Sequence, residues 1–280
     1  MRNYKSILLV FALCVAYRFK AHCAPTLPLP RDRNVQIFEQ RQVNRVTLIA
    51  HLTNCTEATI TLTMNLVNMA ASTRLPLTVD AKERTRFELL TIQAIDPQQP
   101  YRYSYEYKWR PGRRAKVTAS SFAYALPYVE ETHRVVQGPM GTFSHQAGSG
   151  SENAIDFRMA VGSRICAARD GTVVALWQDS DAGGPDPTNR PYANYVVLAH
   201  EDGTFGEYYH LKKNGVLVGL GQKVKMHDPI ALSGNTGFSS GPHLHFGVFC
   251  NVDATNRTTL PIQFTTRSGA IETLRQGGTY

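Results

Sequence analysis

Hydrophobic and polar positions alternate with a period of two over much of the first half of the chain. The runs are "RVTLIAHL" (45–52), "ATITLTMNLV" (58–67), "TRFELLTI" (85–92), "YRYSYEYKW" (101–109) and "KVTASSFAYAL" (116–126). Alternation carried by β-branched and aromatic residues predicts half-buried antiparallel strands. The separators "AASTRLP", "DPQQP" and "RPGRR" are turn-rich. Short strands at this spacing predict a β-sandwich over residues 34–127. A second texture follows over 128–280, in "AIDFRMAVGSRICAARDGTVVAL", "ANYVVLAHEDGTFGEYYHL" and "QKVKMHDPIALSGNTG". These read as shorter strands with Asp-Gly turns at 170–171 and 202–203. Between the first two lies a long polar loop rich in Gly and Pro, "QDSDAGGPDPTNRP" (178–191), of the kind that builds a site wall. No long stretch carries a helical period, so the whole chain reads as all-β.

Composition refines this. At 42% hydrophobic and 19% charged, the 280 residues can bury a sizeable core. Residues 1–23 stand apart: Arg2 and Lys5, then an apolar run from Ile7 to Tyr17, then small residues near Ala21 and Ala24. That layout predicts an export signal, too short to span a bilayer, followed by a proline-rich linker over 24–33. Export places the mature chain in the periplasm or outside the cell. The formal net charge of +8 belongs to the leader and the first region, while residues 131–280 are close to neutral. Its densest stretch, "KWRPGRRAK" (108–116), reads as a solvated hairpin tip, with a tether to an acidic polymer as the alternative. No nucleic-acid module is recognisable. Past the leader, Cys55, Cys166 and Cys250 form no disulfide framework and no Cys-x-x-Cys zinc pattern. A Cys166–Cys250 bridge and three buried thiols are equally compatible with the sequence. "NCT" at 54 and "NRT" at 256 fit glycosylation acceptors.

The candidate chemistry sits in "GPHLHF" (241–246). On a strand, His243 and His245 project to one face and Leu244 and Phe246 to the other. Paired imidazoles suit a metal ion, or one metal and one proton transfer; two half-exposed histidines at an edge are the bland alternative. Upstream, "FSHQAGSGSENAIDF" (143–157) offers His145 and Asp156, and "YYHL" (208–211) offers His210. A carboxylate inside apolar "AIDF" is costly to bury unpaired, which favours a ligand role. His22, His51, His200 and His227 lack such context and read as surface residues.

Together "AIDF", "AARDGTVV", "YYHL" and "GQKVKMHDPIALSGNTGFSSGPHLHF" resemble the lysostaphin-type zinc metallopeptidases, which cleave peptide cross-links in bacterial cell walls. The resemblance covers about residues 141–250. It implies an antiparallel β-sheet peptidase domain of the duplicated-hybrid-motif type behind the N-terminal β-sandwich, which is similar to the extra all-β domain of some members. It implies one zinc per chain, with His145, Asp156 and His245 as ligands and His210 and His243 as catalytic histidines. The family often separates the first His and Asp by three residues, and here ten intervene, so "QAGSGSENAI" must loop out; His133 is the fallback ligand. Asn194, Tyr209, Ser239 and Gly241 are candidate groove residues. "SGNTGFSSG" reads as backbone that approaches the substrate closely. Water on such a zinc has a pKa of about 7, so hydroxide is available to attack a peptide carbonyl while the free histidines move protons. The implied substrate is the peptidoglycan stem peptide. The alternatives are a non-catalytic wall-binding or hydrolase-activating relative, and a zinc peptidase acting on another protein. His245→Ala separates the first of these, since it abolishes hydrolysis while sparing wall binding. For the first region, an inhibitory cap and a wall tether both fit.

Overall fold

The computed structural model describes residues 9–11, 34–82, 85–116 and 122–280. The rest of the leader and the linker, including His22 and Cys23, lies outside the described residues. The chain is all-β and dominated by antiparallel pairing. Strand β1 (Leu9–Phe11) pairs at the edge of β8 (Tyr101–Pro111). With β4 (Glu57–Val67) and β6 (Leu77–Lys82) they form one four-stranded sheet. A second contains β2 (Val35–Gln42), β3 (Arg45–Leu52), β7 (Arg86–Ala94) and β5 (Met69–Ala71). The period-two pattern is visible in burial: Val46, Leu48, Ala50 and Leu52 face inward on β3, and Tyr103, Tyr105 and Tyr107 on β8.

In the second region β9 (Ala123–Ala125), β10 (Val135–Gln137), β11 (Ile155–Arg158), β12 (Arg164–Cys166), β13 (Gly171–Trp177) and β14 (Gly183–Gly184) come first. A 3-10 turn, Pro187–Tyr192, leads into β15 (Tyr195–Ala199), β16 (Phe205–Tyr209), β17 (Leu211–Val216), β18 (Lys223–Val224) and β19 (Pro229–Ser233). Then follow β20 (Gly237–Phe238), β21 (His243–Asn251), β22 (Arg257–Thr259), β23 (Gln263–Thr265) and β24 (Ile271–Glu272). The main sheet runs β10-β11-β21-β16-β15-β13-β18, with β22 on β21. A smaller sheet holds β12, β19 and β17. In the expected strand run 116–126 the described strand is β9, which pairs in parallel with β23 of the second region.

The main sheet is buried on both faces, which explains the unbroken apolar run "YVVLA". Val173, Val196, Leu198, Tyr208, Leu244 and Phe246 enter one cluster with Ile155, Phe157 and Ile165. Val174, Trp177, Tyr195, Val197, Phe205 and Phe249 enter a second cluster with Leu48, Ile60, Leu62 and Tyr107 of the first region. The two regions therefore share a core.

The stretch 108–116 sits at this junction and is not a solvated hairpin tip. Arg113 pairs with Glu57 and Arg114 with Asp80, each at 3.0 Å. Buried Asn251 donates from Nδ2 to the Pro111 and Gly112 carbonyls at 2.7 and 3.1 Å. Gly112 has φ +84, and a Cβ there would meet the Phe205 ring at 2.6 Å, so both backbone and space demand glycine. Cys55, Cys166 and Cys250 are buried free thiols, so no Cys166–Cys250 bridge forms. His200 is 5% exposed, not a surface residue. Its Nδ1 lies 2.8 Å from the Asp170 carbonyl, and Gly206 leaves room for its Nε2. His227 is exposed and His51 half-buried.

Candidate metal centre

The register of β11, β21 and β16 builds the centre. Asp156 on β11 faces His245 on β21, and His245 faces Tyr209 on β16. Antiparallel partners share a face, so the carboxylate, the imidazole and the phenol form one row. Because residues two apart also share that face, His243 lies beside His245, and Phe249 extends the same face into the shared core.

His145 arrives from the loop after β10. Its Nδ1 donates to the Gly138 carbonyl at 3.0 Å, which leaves Nε2 as the bare acceptor. That Nε2 lies 3.3 Å from His245 Nδ1 and 3.3 Å from Asp156 Oδ1, and the last two atoms are 2.9 Å apart. Ligand atoms on a tetrahedral zinc at about 2.0–2.1 Å are separated by about 3.3 Å, so this donor set fits such an ion. His145, Asp156 and His245 are all buried and form the three-residue cluster suited to a metal among the described residues. His133 is elsewhere: its Nδ1 is 3.0 Å from the Arg158 carbonyl and its ring packs edge-on against Tyr128.

Two further imidazoles flank the cluster. His210 Nδ1 donates to the Thr236 carbonyl at 2.7 Å, and His243 Nδ1 to the Gly241 carbonyl at 2.7 Å. Each ring is thus held through Nδ1, and Nε2 of His243 is 3.9 Å from Asp156 Oδ2. The two rings are 4.5 Å apart between centroids. His210 has φ +67, a strained backbone for a non-glycine residue and one that occurs at functional positions.

Charge follows from the packing. Burial alone raises the Asp156 carboxyl, but the His145 and His245 imidazoles outweigh it and hold it well below the ordinary range. Burial opposes a charge on His245, yet hydrogen bonding to Asp156 and Glu207 brings the metal-free imidazole up to about 9. Burial, reinforced by His243 and His245, holds His210 well below its usual value. Glu207 is buried too, and the Arg257 guanidinium brings its carboxyl down to about 2 against that burial.

Further residues in this arrangement were not read from the sequence. Gln137 donates to Asp156 Oδ2 at 2.9 Å and accepts from the Phe143 and Ser144 amides, tying the His145 loop to the carboxylate. Glu207 Oε1 is 3.7 Å from His245 Nε2 and receives two bonds from Arg257, at 2.6 and 2.8 Å. Gly247 lies across from Glu207, and a Cβ there would stand 3.0 Å from Oε1. Glu207 carried the signal used for Asp156, a carboxylate inside an apolar strand. Arg257 Nε also donates to the Gly150 carbonyl at 2.6 Å, and Asn153 bonds Thr259. The ten residues between His145 and Asp156 are thereby docked on β22.

The groove candidates divide. Tyr209 lines the cleft, its ring edge-on to His245 at 6.0 Å. Asn194 is fully buried and spends its side chain on Ser180 and Leu211. Ser239 is buried, with Oγ 3.1 Å from His243 Nδ1. Gly241 holds His243 through its carbonyl. The run "SGNTG" approaches the chain itself, not open groove: a Cβ on Gly234 would meet Lys212 N at 2.5 Å.

Asp156 on β11 and His243 and His245 on β21 lie in a segment matched at family level. The family model described as Peptidase family M23 aligns with residues 150–257. Over those residues the chain is similar to peptidase family M23. The alignment includes Asp156, His210, His243 and His245 and begins after His145. An uncharacterized metalloprotease of Buchnera aphidicola is 40% identical over 102 residues, covering 36% of this chain and 24% of that protein. The peptidoglycan DD-endopeptidase ShyA of Vibrio cholerae is 42% identical over 95 residues, covering 34% and 19%. The chain thus spans a quarter or less of these relatives' length. The solved catalytic domain of lysostaphin from Staphylococcus simulans aligns with a TM-score of 0.32 at 25% identity, covering 46% of this chain and 87% of that one. Among the described residues, no helix is long and apolar enough to cross a membrane.

Proposed function

We propose that the chain is an exported zinc metalloendopeptidase that hydrolyses stem-peptide cross-links of bacterial peptidoglycan. The observation that carries this reading is the donor triangle of His145 Nε2, Asp156 Oδ1 and His245 Nδ1, with sides of 3.3, 3.3 and 2.9 Å, beside two imidazoles held through Nδ1. The similarity to family M23 and the names of the relatives support the peptide-bond chemistry and the wall substrate. The basic, apolar leader supports export.

His145, Asp156 and His245 would hold the ion. Bound there, zinc supplies a Lewis acid that lowers the pKa of water and polarises a carbonyl. His210 is neutral at pH 7 because it is buried among imidazoles, so its Nε2 is a proton acceptor. The His243 ring lies 4.5 Å from that of His210, with Nε2 3.9 Å from Asp156 Oδ2, a position from which it would pass a proton between water and the leaving amine. Backbone carbonyls at Thr236 and Gly241 keep both rings from turning. Tyr209 walls the site.

The test is zinc content of the purified chain combined with mass spectrometry of its products from purified sacculi. Stoichiometric zinc and released cross-link fragments are expected. His243→Ala should keep zinc and lose at least about 100-fold in rate, while His245→Ala should lose both. A zinc-loaded chain that leaves sacculus cross-links intact overturns the substrate.

A further inference from the structure

At the β10 end of the main sheet, Arg134, Val135, Val136, Arg158, Gln276 and Gly277 line a cleft of about 340 Å³. Register places it next to the metal centre. Arg158 on β11 faces His243 on β21, just as Asp156 faces His245. Antiparallel partners share a face, and so do residues two apart, so Arg158 stands on the face that carries Asp156, His243 and His245. On the other side of β11, Val135 faces Phe157, and one position further the Arg158 amide donates to the Arg134 carbonyl at 2.9 Å. Arg134, Arg158 and His243 therefore form one row across three neighbouring strands. At about 4.8 Å per strand, the Arg134 backbone lies about 10 Å from that of His243. The cleft also adjoins the His145 loop. A Cβ on Gly138, whose carbonyl accepts from the His145 imidazole, would meet the Gln276 amide nitrogen at 3.4 Å.

Two cations directly opposite one another on a sheet repel, so the fold gains nothing from this pairing by itself. Both side chains are exposed, and among the described residues no carboxylate pairs with either. By contrast, Arg113, Arg114, Arg169 and Arg257 each hold one. Asp156, on the same face of β11, is already engaged: Oδ1 contacts His145 and His245, and Oδ2 accepts from Gln137. Glu131 lies 3.4 Å from His133 Nε2. The Arg134 guanidinium is turned toward the cleft, with Nη2 4.0 Å from where a Gly277 Cβ would stand. The wall it lies against is fixed, because the Gly277 amide donates to the Val135 carbonyl at 2.8 Å and the Val135 amide to the Gly278 carbonyl at 2.8 Å.

We propose that Arg134 and Arg158 form a subsite for a carboxylate of the peptide being cleaved, on the His243 side of the metal centre. This rests on the peptidase reading above. A guanidinium binds carboxylate through charge-assisted, geometrically specific hydrogen bonds. An anion held between the two arginines also offsets the repulsion that their register imposes. An extended peptide advances about 3.3 Å per residue, so about 10 Å corresponds to about three residues. The subsite therefore favours peptides with a free carboxyl group about three residues from the bond that is cut.

The experiment uses the full zinc-loaded chain and two probes, a purified cross-linked muropeptide dimer and the same dimer with its free carboxyl groups amidated. For the parent chain, amidation should raise KM about 10-fold. Arg158→Gln and Arg134→Gln should each raise KM about 5-fold for the carboxylate dimer, with kcat and the amidated dimer's KM within about 2-fold of the parent. Neither variant should melt below the parent, since each removes one of two like charges. Where one does, the other carries the test; a drop in both assigns the arginines to the fold and overturns the subsite. Equal weakening for both probes, a parent chain indifferent to amidation, or selectivity that survives both substitutions also overturns it. Calorimetric binding of the two dimers applies the same criterion without turnover. Carboxylate-selective binding that either substitution weakens, with no hydrolysis, retains the subsite and overturns the peptidase reading alone.

Discussion

At the scale of single residues, His245 carries the most weight because it faces a carboxylate on each ring nitrogen. Asp156 is at Nδ1 and Glu207 near Nε2. An imidazole placed so and pushed up to about 9 keeps its proton at neutral pH while no metal is present. Ligation requires the neutral ring, so metal uptake at pH 7–8 should release about one proton from this residue. The dependence of calorimetric binding enthalpy on buffer ionisation measures it. Glu207 also orients the ring for its metal-facing nitrogen, and such partners typically contribute 10- to 100-fold in affinity. Glu207→Gln should therefore weaken zinc binding by about 10-fold or more in a chelator competition. Gly247→Ala should act in the same direction, because its methyl group would press on Glu207 Oε1 from 3.0 Å.

Among the elements, the segment after β8 matters more than its length suggests. Asn251 satisfies two of its carbonyls from a fully buried position. Asn251→Ala should cost about 1–3 kcal/mol in denaturant titrations, since it leaves buried carbonyls without a donor. The docked 146–155 loop was legible as a necessity, because ten residues must leave and return between His145 and Asp156 if the two are to meet. Its anchors, Arg257 and Asn153, were not legible, since they depend on β22 lying beside β21.

For the whole molecule, the shared core makes the two regions one cooperative unit. Val174, Trp177, Val197, Phe205 and Phe249 of the second region would face water if residues 34–116 were removed. That truncation should aggregate and not report on inhibition, as read by soluble yield and light scattering. Phe249→Ala should cost about 3–5 kcal/mol and lower one common transition seen by circular dichroism and tryptophan fluorescence. Acid should destabilise the fold through His200. Burial brings its pKa down to about 4, whereas an unfolded chain takes up that proton near 6.5. Below about 6.5 the unfolded state binds the proton and the folded state does not. Stability should therefore fall between about pH 6.5 and 4, by about 3 kcal/mol, and level off below. His200→Gln should flatten that part of the curve in denaturant titrations across this range.

The amino-acid pattern by itself determined the all-β class, the strand face shared by His243 and His245, and the need to satisfy Asp156. Those follow from a backbone period of two and from the cost of an unpaired buried carboxylate, both local properties. It did not determine what covers the second face of "YVVLA", because an apolar run states that a face is buried without naming its cover. The burial of His200 escaped it for a similar reason: the space is made by Gly206 across a turn. Glu207 as partner to His245 and the shared core both come from pairings between residues far apart in sequence. Only the tertiary structure decided them, since register and packing, not composition, choose which distant side chains meet.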